Sequence, residues 1–448
     1  MYQEYARLVV YRGFPADSIF RQLCGIIRDF DEGSAPKYEL TDRIHTQIKA
    51  LLDLSTECGF DGNLWHCYLT WLLMTHENSF SLVCEKKPAP QGSINLFVLH
   101  DLEVFRELFD YDFGRLEKRL NLGCFSLITH YHAVAKSELM YNRGVSDMVL
   151  QMVKKLEESE DAEAMYQALT SFYARYGAGI FAFNRAFRFE NRDGHFSFLP
   201  IRNMDNVVLS DLVGYEMQKQ LLIDNTRAFV EGRSANNVLL YGDSGTGKST
   251  SIKAIVNEFY QDGLRMVEIY RHQFKDLSAL IARLKLRSHR FIIYMDDLSF
   301  EDFETDYKFL KAVIEGGVET KPENILIYAT SNRRHLIRET WSDRSDMNGD
   351  ELHHSDTVQE KLSLVARFGL SICYERPDQK NYFKIVLELA KRYPEITLSE
   401  PELIAEARKW ELSHGGMSGR AAQQLIYDLS GKALMKQAQN ANGHKNGE

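Results

Sequence analysis

The ten residues YGDSGTGKST, at positions 241–250, restrict the fold of this chain more than any other segment. They follow a short apolar run that predicts a buried strand, and they lead into a stretch with helical periodicity. The string fits the pattern GxxxxGK[ST] at every position. Glycines in such a turn let successive backbone N–H groups point into the loop, where the N-terminus of the following helix adds positive potential. The segment therefore predicts a loop that binds phosphate groups, and a chance glycine-rich turn is the alternative.

A bound nucleoside triphosphate with Mg²⁺ is the ligand that this loop predicts. Lys248 would reach the β and γ phosphates, and Ser249 would be a ligand of Mg²⁺. The loop residues that we expect to contact the nucleotide are Gly242, Asp243, Ser244, Gly245, Thr246, Gly247, Lys248, Ser249 and Thr250.

A second segment, FIIYMDDLSF at 291–300, ends a buried strand on two adjacent acids, Asp296 and Asp297. Charge at the edge of a core is costly unless a cation or a donor meets it. We expect this strand to lie next to the strand that precedes the phosphate loop. Asp296 would then orient Mg²⁺ and Asp297 would polarise the attacking water; a solvated surface turn is the alternative.

Changes of periodicity along the chain suggest several domains. The first part, 1–178, is mainly helical, with helices expected from Thr41, over 96–109, over 135–158 and over 161–176. Alternation around NRDG predicts a β-hairpin linker over 179–205. Apolar runs then alternate with helical stretches over 206–376, which predicts a parallel sheet with crossover helices. A helical segment follows over 377–438, and 439–448 reads as a disordered tail.

The composition is that of an ordinary globular protein, with 44% hydrophobic and 26% charged residues and a net charge of −9. There is no CxxC pair and no signal-peptide pattern, so we expect a cytoplasmic protein with reduced thiols. The apolar run at 64–74 is shorter than the roughly 20 residues that span a membrane, and it predicts a core helix.

Residues 180–430 resemble an uncharacterised bacterial AAA+ family, catalogued as domain of unknown function 815. The strings that carry the resemblance are ANNVLLYGDSGTGKST, FIIYMDDLSFED, ILIYATSNRRHLI, EKLSLVARFGLSI and MSGRAAQQLI. It implies an α/β fold: an AAA+ P-loop NTPase core with a parallel sheet and flanking helices, and a small helical lid, preceded here by the helical N-terminal domain.

The resemblance also implies roles for single residues. Val213 and Gly214 in DLVGYE would form part of an adenine pocket, and Asn332 would position water. Arg367 would be an arginine finger and Arg420 a lid residue that senses the γ phosphate. The alternatives are a helix cap for Asn332 and surface ion pairs for the two arginines.

An ATPase that acts on an unidentified partner is the function that these features favour. Arg367 would act in trans in a homo-oligomer, and the N-terminal domain would recognise the partner. Many relatives have Glu where Asp297 stands, although replication initiators and helicase loaders use the same paired Asp. A slow nucleotide-gated switch or scaffold is therefore the main alternative, and a small-molecule kinase is another.

Nucleic acid is a further candidate partner, because a basic strip could form from residues after 270 and from 332–338. A solvated helix face is the alternative. The side chains of the first part of this strip are Lys275, Arg283, Lys285, Arg287 and Arg290. Two histidine pairs, at 130 and 132 and at 353 and 354, lack partner ligands at suitable spacing, so we interpret them as surface or core residues.

Overall fold

The computed structural model describes residues 1–87, 92–133, 143–192, 194–201, 204–299, 306–315, 322–332, 366–414 and 416–443. The chain divides into two compact units, Met1–Asn184 and Arg185–Glu448, each with its own core. Within the described part, no helix combines the length and the apolar character that a membrane crossing needs.

The N-terminal unit is built from helices, as the sequence predicts. They are α1 (Tyr2–Arg7), α2 (Ile19–Glu32), α3 (Lys37–Cys58), α4 (Leu64–Thr75), α5 (Ser79–Lys86), α6 (Ile94–Phe109), α7 (Gly114–Leu120), α8 (Cys124–Thr129), α9 (Arg143–Glu157), α10 (Ala162–Tyr176) and α11 (Ile180–Phe183). The expected start at Thr41 is wrong, because α3 begins at Lys37 directly after Pro36, whose fixed φ suits a helix start. The predicted beginning at 135 lies outside the described residues.

The core of this unit surrounds α4, which is apolar on nearly all sides, as expected of a buried helix. Trp65 is 1% exposed and donates from Nε1 to the carbonyl oxygen of Leu108 at 2.8 Å. The carboxylate of Asp101 is fully buried and accepts the backbone N–H groups of residues 9–11 at 2.7 to 3.1 Å. This carboxylate ties the N-terminal segment to α6.

The described residues of the second unit form a seven-stranded sheet. Its strands are β1 (Ala186–Arg192), β2 (His195–Pro200), β3 (Val238–Gly242), β4 (Leu264–Glu268), β5 (Arg290–Met295), β6 (Ile325–Ser331) and β7 (Leu370–Tyr374). Their order is β2-β1-β4-β5-β6-β3-β7, and every pair is parallel except β1 with β2. The five parallel strands predicted after residue 206 are confirmed.

The second unit also contains helices, of which some belong with the sheet and others form a smaller helical lid. They are α12 (Glu216–Val230), α13 (Lys248–Phe259), α14 (Leu277–Leu284), α15 (Asp306–Glu315) and, in the lid, α16 (Gln379–Ala390), α17 (Glu400–His414) and α18 (Gly419–Gly443). The lid has a separate apolar core, to which α16, α17 and α18 all contribute. The tail expected from 439 is wrong as far as Gly443, because α18 continues to that residue.

The hairpin predicted as a linker is instead part of the sheet. Ala186 of β1 pairs in parallel with Met266 of β4, and residues 180–183, expected in the hairpin, are helical. The physical reason is burial: Phe187 and Phe189 point to the same face of β1 and are 0% and 1% exposed, so this face needs cover from the rest of the unit.

Strand order also corrects the expected position of the acidic strand. We expected β5 next to β3, but β6 lies between them. The carboxyl ends of β3, β6 and β5 therefore meet side by side at one edge of the sheet, and β6 brings its own polar residues between the loop and the acids.

Candidate functional site

The phosphate-binding loop leaves β3 at Gly242 and enters α13 at Lys248. Three of its glycines have left-handed or otherwise positive φ angles, of 130° at Gly242, 76° at Gly245 and 94° at Gly247. A Cβ atom at Gly242 would lie 2.2 Å from the carbonyl oxygen of Tyr374. This position can therefore hold only glycine without moving β7.

Lys248 is the cation of the site, and its residue is 6% exposed. Its Nζ donates to the carbonyl oxygens of Gly242 at 2.9 Å and Asp243 at 2.5 Å, and to Oδ1 of Asn332 at 3.0 Å. Burial lowers the pKa of Lys248, and the carboxylates of Asp243, Asp297 and Asp296 partly oppose that shift. The ammonium group thus spans the loop and the end of β6.

Asp296 lies where a hard cation would be held. Its Oδ1 accepts the hydroxyl of Ser249 at 2.8 Å and the hydroxyl of Thr330 at 2.5 Å. Partial desolvation would raise the pKa of Asp296, but the adjacent hydroxyls of Thr330, Tyr294 and Ser249 outweigh it and hold the pKa below its usual value. A charged carboxylate beside a serine hydroxyl is the oxygen donor set that Mg²⁺ prefers, so these residues fit the metal.

Asp297 has an unusual backbone and a fixed side chain. Its φ is 49°, in the left-handed region. Its N–H donates to Oγ1 of Thr330 at 2.9 Å, and its Oδ1 accepts Nδ2 of Asn332 at 2.8 Å. Asn332 therefore connects Lys248 to Asp297 in the structure, and the residues that a helix cap would serve lie outside the described part.

A cleft of about 780 Å³ opens between the phosphate loop and the lid. Lys248, Ser249, Asp296, Asp297, Asn332 and Arg420 all line it. One wall is apolar, formed by Val207, Val213, Ile385 and Leu389. A charged floor for phosphates and an apolar wall for a planar base are the two features that a nucleotide needs.

Gly214, predicted together with Val213 for the base pocket, is not among the cleft-lining residues of the described chain. It has a φ of 81° and is followed by Tyr215 at 59°, so the chain turns sharply here. Tyr215 stacks on Tyr374 with ring centroids 5.0 Å apart and donates to the carbonyl oxygen of Glu375 at 2.8 Å. Gly214 thus supplies a turn that presents Val213 to the cleft.

The phosphate loop touches the lid and the segment that leads to it. The N–H of Arg420 donates to the carbonyl oxygen of Gly245 at 3.2 Å. On the other side, Asp243 accepts the N–H of Arg376 at 3.1 Å and pairs with its Nε at 3.5 Å. The loop therefore contacts both the segment that precedes the lid and the first turn of α18 in the lid.

Other predicted residues lie elsewhere. Arg367 is exposed, next to the buried Phe368, and it does not line the cleft in the described part of the chain. In the proposed basic strip Arg287 is 8% exposed, and Arg283 lies over the ring of Phe196 at 5.4 Å. The strip therefore does not form one continuous exposed face, and 333–338 lie outside the described residues.

Histidines and acids form no further metal site in the described ranges, where no group of three or more His, Cys, Asp or Glu side chains could hold a metal ion. The histidines at 353 and 354 lie outside those ranges.

The sequence does not predict two residues that belong to the site, Thr330 and Tyr294. Both belong to strand segments where threonine and tyrosine are common for packing reasons alone. The hydroxyl of Thr330 bonds to both acids, and that of Tyr294 lies beside Asp296. Their only sequence signal is a polar group near the carboxyl end of a buried strand.

Solved structures similar to this chain include the RuvB Holliday junction branch migration motor of Thermotoga maritima. It is 14% identical with a TM-score of 0.30, over 49% of this chain and 71% of that chain. A proline-to-glycine mutant of the same RuvB is 16% identical with a TM-score of 0.35, over 51% and 72%. No curated protein matches the chain.

The second unit combines a parallel sheet, a glycine-rich phosphate loop between β3 and α13, and a small helical lid, which is the strand–loop–helix arrangement of a P-loop fold with an added lid. Residues 182–433 match the model of the family described as "Protein of unknown function (DUF815)", and the chain belongs to that family.

Proposed function

We propose that this protein binds Mg-ATP in the cleft and hydrolyses it to change its assembly or its affinity for a partner. One observation carries the proposal: hydrogen bonds join the residues at the ends of β3, β5 and β6 into a single network. Its members are Lys248, Ser249, Asp296, Asp297, Thr330 and Asn332.

Binding would use both walls of the cleft. The backbone amides of the phosphate loop and the ammonium group of Lys248 would hold the phosphates. Arg420 lines the same cleft, which supports its role as the lid residue that meets the γ phosphate. Val213 packs against the apolar core of the lid, so a base bound beside it would contact both parts of the unit.

The metal would be held by Ser249 and Asp296. When bound, Mg²⁺ would neutralise phosphate charge and so lower the barrier to attack. The lowered pKa of Asp296 keeps this ligand charged well below neutral pH. A single Mg²⁺ at this position would be the cation that the sequence predicts beside the two adjacent acids, Asp296 and Asp297.

Asp297 would polarise the attacking water, with Asn332 fixing its direction. The 2.8 Å bond from Nδ2 of Asn332 leaves the second oxygen of Asp297 available for a water proton. We expect Asp297→Asn to lower steady-state phosphate release by at least tenfold while the ATP affinity changes less than threefold. Unchanged turnover in this variant would refute the role of Asp297.

A slow switch is the second candidate, and the geometry of Asp297 favours it. The aspartate is one methylene shorter than glutamate, and a misplacement of about 1 Å costs on the order of a hundredfold in rate. Sustained phosphate release would support the motor, whereas tightly retained ATP without release would support the switch. Phosphate recovered on an added metabolite would instead indicate a kinase.

We propose that Arg367 completes the site of a neighbouring subunit in a homo-oligomer. Its exposure and its absence from the cleft of its own chain, within the described residues, support this arrangement. Lys248→Ala and Arg367→Ala proteins are each expected to be inactive and to regain turnover when mixed, because one supplies the arginine and the other the intact loop. No recovery at any mixing ratio would refute shared sites.

The N-terminal unit is the part that we propose for partner recognition, in the cytoplasm. None of the six cysteines, all of which the structure describes, forms a disulfide bond, which supports a reducing compartment. Capturing the Asp297→Asn protein with ATP in cells would identify the partner. Recovered nucleic acid would indicate a loader-like role, and one recovered protein would indicate remodelling of that protein.

A further inference from the structure

Tyr294 places a buried hydroxyl beside the proposed metal site. The residue is 2% exposed and belongs to the core on the α13 side of the sheet. Its hydroxyl lies close enough to Asp296, Ser249 and Thr330 to influence their electrostatics, yet no described residue meets it in good hydrogen-bond geometry. Buried polar groups are rarely left in this state, so the exception calls for a physical explanation.

The donors around Asp296 explain why the hydroxyl is unpaired. Oδ1 of Asp296 already accepts the hydroxyls of Thr330 and Ser249, and the N–H of Asp297 lies 3.2 Å away. Three donors already converge on this one oxygen, which has two lone pairs, so it is crowded for a fourth. The hydroxyl of Tyr294 can therefore be paired only with the other carboxylate oxygen, Oδ2, or after a rearrangement of these donors.

A neighbouring tyrosine provides the comparison. Tyr328 of β6 is the register partner of Tyr294 in β5, and it is also fully buried. Its hydroxyl bonds to Oγ1 of Thr226 at 2.7 Å and accepts Nδ2 of Asn225 at 3.1 Å. The sheet can thus satisfy a tyrosine hydroxyl at the adjacent position, whereas phenylalanine at 294 would fill the same space without an unpaired group.

We propose that Tyr294 is a positioning residue of the metal site. With Ser249 and Asp296 engaged in holding Mg²⁺, their present hydrogen bonds would change, and the Tyr294 hydroxyl would then donate to Asp296 and fix its direction. This bond would give the buried hydroxyl a partner. This inference rests on the proposed function, because it requires a metal at Ser249 and Asp296.

The test compares Tyr294→Phe with the matched control Tyr328→Phe in the full-length protein. A fluorescent ATP analogue is held at constant concentration and MgCl₂ is titrated, while melting temperatures are measured without ligand. Tyr294→Phe should raise the half-saturating Mg²⁺ concentration about tenfold, as loss of an outer-shell partner does. Its melting temperature should stay the same or rise, because the variant removes an unpaired group.

Tyr328→Phe should behave in the opposite way, with a lower melting temperature and an unchanged Mg²⁺ requirement. An unchanged Mg²⁺ requirement in Tyr294→Phe overturns the inference alone. A fall in its melting temperature as large as that of the control also overturns it, because the hydroxyl would then be structural. A wild-type protein whose analogue binding ignores Mg²⁺ refutes the proposed function itself, which separates the two failures.

Discussion

Replacing Thr330 with valine tests how the acid pair is held. Thr330 is 2% exposed, and its hydroxyl donates to Asp296 at 2.5 Å while accepting the N–H of Asp297 at 2.9 Å. Valine keeps the shape of the side chain, so the packing of β6 should survive. The change therefore removes one oxygen atom that contacts both acids.

The expected cost follows from these two contacts. A hydrogen bond to a charged group contributes about 1.5–3 kcal/mol, and the partial exposure of Asp296 favours the lower end. The N–H of Asp297 loses its better acceptor but keeps Oδ1 of Asp296 at 3.2 Å, for a further cost of about 1 kcal/mol. We expect Thr330→Val to lower the free energy of unfolding by about 2–3 kcal/mol in total. Because the acids would move, turnover should fall on the order of tenfold to a hundredfold.

Urea unfolding of the full chain and hydrogen exchange at the amides of 296–298 provide the assay. The control is Thr226→Val in α12, a fully buried threonine that bonds to the carbonyl oxygen of Leu222 and to the hydroxyl of Tyr328. The control should lose stability without faster exchange at 296–298 or slower turnover. A loss below about 0.5 kcal/mol in Thr330→Val, with wild-type exchange, would refute the reasoning.

Three further changes are predicted from the fold. Gly242→Ala should lower the melting temperature and weaken ATP binding more than tenfold by calorimetry, because its Cβ would collide with the Tyr374 carbonyl; wild-type affinity would contradict the loop geometry. Asp101→Ala should cost about 3 kcal/mol in denaturant unfolding, since the amides of 9–11 lose their acceptor; a cost under about 1 kcal/mol would show that water replaces it. Iodoacetamide at pH 8 should modify the partly exposed Cys373 in the folded protein, as measured by mass spectrometry. Three buried thiols of the N-terminal unit, Cys24, Cys67 and Cys84, should be modified only after unfolding, because burial raises the pKa of each to about 12. Early labelling of these three would contradict their burial.

Local patterns sufficed to predict the phosphate loop and the strands around it. The glycines, Lys248 and Ser249 lie within eight consecutive residues, and their conformation depends on their own sequence. The hydrophobic runs likewise predicted the parallel strands, because a strand buried on both faces reads as continuously apolar.

Strand order and side-chain partners could not be predicted in the same way. The apolar run of β6 does not predict that this strand lies between β3 and β5, since the order of strands in the sheet depends on tertiary packing. Thr330 acquires its role only because the sheet register brings it against two acids that lie 34 and 33 residues away in the chain. Tyr294 likewise depends on contacts between separate strands and loops. Local sequence patterns do not reveal contacts over such separations. The hairpin was predicted as a linker for a related reason, because its pairing with β4 is a tertiary contact that its own sequence does not reveal.

The backbone of Asp297 bears on why this position holds aspartate. Left-handed φ angles are several-fold more common for Asn and Asp than for longer residues, whose side chains clash with the turn. The identity of the acid is thus matched to the tight bend after β5 as much as to chemistry. Lengthening it to glutamate would strain that bend, so we expect Asp297→Glu to bring no gain in the proposed turnover.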